Sequence, residues 1–177
     1  MVQRFWISGL VLLALTVVSR ADDKTGSKAE AKVQQANLEK LKKLAGTWVA
    51  ADKDGKPTDQ VVSVVKVTAG GSVVHETLFP GQPQEMVSIY HIDGGDLVMT
   101  HYCMLGYQPR MKADPKSPAN QIHFEFAGGP NLDPAKDNHM HEGTITFVDD
   151  DHLEFHRVSW EGGKPDHEGT MKLIRKK

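Results

Sequence analysis

The chain has 177 residues, with 21 lysines and arginines against 23 acidic residues, a formal net charge of −2, nine histidines and a single cysteine. That balance lacks the basic footprint of a nucleic-acid-binding protein, so no nucleic-acid partner is expected. One cysteine excludes an intrachain disulfide framework, and the length suits one domain with a sizeable core better than two.

The first stretch, MVQRFWISGLVLLALTVVSRADD, places Arg4 ahead of an unbroken apolar run from Ile7 to Val18, followed by the small residues Ser19 and Ala21 and an acidic start. This order predicts a signal peptide over residues 1–21, cleaved after Ala21, and hence a periplasmic or extracellular protein. The apolar run is about 12 residues, whereas crossing a bilayer takes about 20, so no integral membrane span is expected after cleavage. Residues 22–32 are small, polar and charged, the composition of a flexible leader. In AKVQQANLEKLKKLAGTW, Val33, Leu38, Leu41, Leu44 and Ala45 recur at helical spacing, with Gly46 as the stop. A short amphipathic helix therefore opens a domain over residues 33–177.

After Gly46 the period changes. Nine segments, near 47–51, 60–68, 72–79, 86–92, 97–103, 121–127, 144–148, 153–160 and 169–174, are rich in Val, Ile, Phe, Thr and Tyr. Turn clusters such as DKDGKP, DGGD, VDDDH and EGGKPD separate them. Short strands with short links predict a mainly β fold, an antiparallel up-and-down β-barrel of about nine or ten strands, because closure removes exposed edges. A two-residue turn at Gly94-Gly95 sets Ile92 opposite Leu97, Tyr90 opposite Met99 and Ser88 opposite His101. One face then carries Met86, Ser88, Tyr90, Ile92, Leu97, Met99, His101 and Cys103.

This mixed face reads as a lumen wall, with Tyr90, Met99, His101, Cys103, Phe124 and Phe126 as candidate ligand contacts. Arg110 is expected near the mouth, where its guanidinium could fork onto a carboxylate or phosphate of the ligand. The His139-x-His141 pair, with His101 on a neighbouring strand, offers an alternative metal centre, because alternate strand residues point the same way. Cupin barrels also use His-x-His, but a glutamate follows four residues on, where this chain has Ile145. Cys103 and His101 stand about 6–7 Å apart along a strand, too far for a thiol and its base to touch. Glu76, Glu85 and Glu125 supply carboxylates, with nothing to single out a catalytic pair. No nucleophile elbow, phosphate loop, Cys-x-x-Cys or His-Glu-x-x-His occurs. No catalytic residue is assigned, and a binding protein is favoured over an enzyme.

At LAGTW, Leu44 to Trp48, the sequence resembles the start of lipocalin-like barrels, in which a short helix leads to Gly-x-Trp on the first strand. The tail VDDDHLEFHRVSWEGGKPDHEGTMKLIRKK resembles the last two strands of a lipocalin-like, calycin-type family of bacterial secreted proteins of unknown function. The resemblance implies a barrel whose lumen takes a small, mainly apolar molecule. Nitrobindin-like barrels are similar in layout and hold haem through a histidine, a role for which His101 or His156 would stand here. Their Gly-x-Trp-x-Gly-x-Gly pattern is incomplete in this chain, where Val49, Ala50, Ala51 and Asp52 follow Trp48. Three readings follow: a secreted module binding a small apolar ligand, a metal- or haem-binding barrel, and a structural or interaction domain whose barrel is filled by its own side chains. No cofactor or oligomeric state is specified.

Overall fold

A computed structural model describes residues 21–177, with side chains from residue 27 onward. The signal-peptide expectation, apart from Ala21, lies outside the described residues. One helix, α1 (Ala21–Lys42), precedes ten strands: β1 (Gly46–Ala51), β2 (Pro57–Thr68), β3 (Val73–Leu78), β4 (Met86–Asp93), β5 (Asp96–Tyr102), β6 (Arg110–Ala113), β7 (Gln121–Phe126), β8 (His139–Phe147), β9 (His152–Glu161) and β10 (Lys164–Arg175). Each strand pairs antiparallel with its neighbours in sequence, and β1 also pairs with β10, so the sheet closes into a barrel with no free edge. The β4–β5 hairpin has the expected register: Ile92 opposite Leu97, Tyr90 opposite Met99 and Ser88 opposite His101. Gly94 and Gly95 occupy φ 60° and 99°, the left-handed region that a tight hairpin turn of this hand needs.

Two features depart from the sequence reading. The helix runs through the whole segment expected as a flexible leader, residues 22–32, where Ala29, Glu30, Ala31 and Lys32 are good helix formers that merely lack an apolar stripe. A tenth strand, β6, is only four residues long and sits between Pro109 and Asp114, too short for alternation to reveal it. Its Met111 and Ala113 are buried while Arg110 and Lys112 point out.

The helix is a plug. It lies against β3, β4 and β5 with Gln34, Asn37, Leu38 and Leu41 buried, and Leu44 is buried just past its end. Gln34 Nε2 donates to the Ala113 carbonyl at 2.7 Å, and Lys40 Nζ donates to the Ala119 carbonyl at 2.8 Å. These contacts tie the helix to the barrel end that carries the 94–95 and 114–120 turns. Trp48, fully buried, donates from Nε1 to the Leu44 carbonyl at 2.8 Å. Arg175, at the far end of the chain, lies over the Trp48 ring, 4.4 Å from its centroid. Its Nη1 and Nη2 donate to the Ala45 and Lys43 carbonyls at 2.9 and 3.0 Å. Those carbonyls follow the last turn of α1, where a cation is favoured by the helix dipole. The first and last strands are thereby locked to the plug.

Candidate functional site

A cavity of about 380 Å³ runs from the plugged end toward the opposite mouth. That volume falls in the range of small-molecule sites. Its deep wall is apolar, with Leu41, Leu44, Trp48, Val65, Val74, Leu153 and Leu173. Its rim is mainly apolar too, with Leu78, Phe79, Met86, Met104 and Leu105 beside the amides of Gln84 and Asn138. Met104 and Leu105, in the β5–β6 loop, are 59% and 51% exposed.

Between floor and rim runs a polar belt. Inward alternation on β3 places Glu76 between buried Val74 and Leu78, and the strand registers set Glu76 opposite Ser88 and Ser88 opposite His101. Ser63 Oγ donates to Glu76 Oε1 at 2.6 Å, and the Tyr90 phenol donates to Glu76 Oε2 at 2.7 Å. Burial, then the Glu76 carboxylate, hold the Tyr90 phenol well above its usual range, so Tyr90 stays a hydrogen-bond donor. Ser88 Oγ and His101 Nδ1 share a bond of 3.0 Å. His101 is 6% exposed, and burial together with the Arg157 guanidinium pushes its imidazole down to about 4, so it is neutral at pH 7. On β9, Arg157 and Ser159 join the lining, with Arg157 Nη1 donating to Ser159 Oγ at 3.4 Å. Gly143 stands opposite Arg157 across the β8–β9 pair and leaves room for the Phe155 ring, which a Cβ there would meet at 3.3 Å.

Of the residues expected to contact a ligand, Tyr90, His101 and Cys103 line this cavity. Met99 and Phe124 are buried in the core beneath it, where Phe124 packs on Tyr90 with ring centroids 5.8 Å apart. Phe126 is half-buried and packs on His139 and His141. Arg110, expected at the mouth, instead lies on the barrel's outer face, ion-paired with Asp93 and with 43% of its side chain exposed. The cause is β6 itself, which begins at Arg110 and turns this side chain away from the buried Met111.

The histidines expected as metal ligands are placed differently from one another. A β-bulge between Met140 and Glu142 interrupts the alternation on β8. His139 is 2% exposed and has both ring nitrogens engaged, Nδ1 with the Asp137 carbonyl at 2.8 Å and Nε2 with His141 Nδ1 at 3.0 Å. His141 is stacked between Trp160, at 3.8 Å, and Phe126, at 5.2 Å. Burial, then His139, hold its imidazole below its usual value. His101 bonds to Ser88 rather than joining that pair. His156, the other candidate for haem, is bonded through Nδ1 to Thr170 Oγ1 at 3.0 Å. Among the described residues no three His, Cys, Asp or Glu side chains gather as a metal-holding group.

The residues that sequence reasoning missed are Ser63, Arg157 and Ser159, together with the pairing of Glu76. Period-2 alternation from buried Leu153 through Phe155 to buried Ser159 carries the signal, with Arg157 on the same parity and, though exposed, lining the cavity. No family model matches the chain, and no curated protein is significantly similar to it. Fold and site together define its class, a closed ten-stranded antiparallel barrel of lipocalin-like form.

Proposed function

We propose that the protein is an exported, non-enzymatic binding module of the lipocalin-like type, taking a small, mainly apolar molecule into the barrel lumen in the periplasm or outside the cell. The observation that carries this reading is the cavity of about 380 Å³, mainly apolar at floor and rim, in a barrel plugged at one end by α1. A lumen filled by its own side chains, the structural alternative, would have no such volume. Burying apolar surface in a preformed pocket drives binding, and the polar belt sets the orientation of the guest. Among the described residues no helix is long and apolar enough to cross a membrane.

Titration with the neutral fluorescent dye N-phenyl-1-naphthylamine tests the reading. We expect saturable uptake at one site per chain, with dye emission rising and Trp48 emission falling, because Trp48 lines the cavity. Emission that rises linearly without saturating, or not at all, overturns it.

A further inference from the structure

Three charged residues line the lumen; one, Glu154, pairs with Lys172, and the other two, Glu76 and Arg157, are of opposite sign and do not meet. Glu76 is fixed by two hydroxyl donors, Ser63 and Tyr90, neither of which supplies a positive charge. Arg157, itself exposed, lines the same cavity and among the described residues bonds only the Ser159 hydroxyl. Among the described residues neither Glu76 nor Arg157 forms an ion pair, although the outer wall pairs its own charges at Arg110–Asp93 and Lys112–Asp96. A wholly apolar guest would take water from both groups and return nothing, which costs free energy for a carboxylate and a guanidinium alike. A guest with a complementary group for each turns the same desolvation into charge-assisted hydrogen bonds.

We propose that the lumen selects a bipolar amphiphile, one whose apolar body carries a protonated amine that seats on Glu76 and a carboxylate or phosphate that seats on Arg157. This rests on the reading of the lumen as a binding site and adds the chemistry of its guest. Each Glu76 oxygen accepts one hydroxyl proton and keeps lone pairs for a further donor, while Ser63 and Tyr90 hold the carboxylate in one orientation. The Arg157 fork has a single weak internal bond and so keeps most of its donors for an anion. The neutral Ser88–His101 pair lies in the wall beside Glu76, so no second cation from that row competes with the amine.

The test is displacement of N-phenyl-1-naphthylamine by four probes of one chain length: decanol, decanoate, decylamine and 10-aminodecanoate. The expected order places 10-aminodecanoate about tenfold or more ahead of decanol, with decanoate and decylamine between them. Glu76→Gln, which removes the charge and keeps one of the two acceptor oxygens used by Ser63 and Tyr90, lowers the preference for 10-aminodecanoate over decanoate by about tenfold. Arg157→Gln does the same for the preference over decylamine. The outer-face change Lys112→Gln leaves all ratios as in the parent protein. Four probes of equal affinity in a protein that takes up the dye overturn the bipolar guest while luminal binding stands. Discrimination that survives either luminal substitution, in a variant with the parent's near-ultraviolet circular dichroism, overturns it as well. Failure to take up the dye overturns luminal binding itself, and the guest with it.

Discussion

His101 shows how a side chain gains a functional property from its strand position. Alternation along β5 turns it inward, Ser88 occupies one ring nitrogen, and burial with Arg157 nearby disfavours the imidazolium. In the unfolded chain the same ring binds a proton near its ordinary value of 6.5, whereas the native ring waits until about 4. Acidification through that window therefore favours unfolding, and native stability falls as pH drops from 6.5 toward 4. The share due to this residue is on the order of 3 kcal/mol. Urea unfolding followed across that range in the parent protein and in His101→Gln checks it. The difference between the two stability curves should grow on acidification, and parallel curves would contradict the assignment. Arg110 teaches the opposite lesson at this scale. Its chemistry suited an anion at the mouth, but one residue of parity decides which side of the wall an arginine serves, and the buried Met111 beside it settles that parity.

At the scale of elements, the helix and the strands that flank it depend on a few long-range contacts. Trp48 fills the plugged end, and Arg175 covers its ring while bonding the carbonyls that follow α1. Arg175→Ala removes these bonds and leaves carbonyls without their donor, a loss of about 1–3 kcal/mol. Trp48→Ala empties the end of the lumen and costs about 3–5 kcal/mol. Chemical denaturation of the two single variants and of the double variant checks both values. The double variant should lose less than the two singles together, because each removes the stacking that the other needs. Much of this level was legible in the sequence. The switch from helical to alternating period at Gly46 marked the end of the plug, and paired glycines at 94 and 95 fixed the β4–β5 register. The bulge in β8 was not legible, because an extra residue in one strand leaves no trace in composition, yet the His139 and His141 rings still meet, bonded at 3.0 Å. The four residues of β6 were hidden by their brevity.

The whole molecule is a closed sheet stoppered at one end, with a mainly apolar rim at the other and a row of polar groups between. Closure was legible, since many short strands with short links have few ways to avoid free edges. The polar row was only partly so. Ser88 and His101 lie on one hairpin whose register could be read, whereas Glu76, Ser63 and Arg157 come from three other strands, and only closing the barrel brings them around one cavity. The central claim, that this cavity receives a small molecule, is tested most directly by amide chemical shifts recorded during addition of N-phenyl-1-naphthylamine. The account predicts saturating shifts concentrated at inward positions, among them Val74, Glu76, Ser88, His101, Arg157 and Leu173. Shifts confined to outward positions such as Lys112, Glu125 and His156, or no saturating shifts at all, would contradict it.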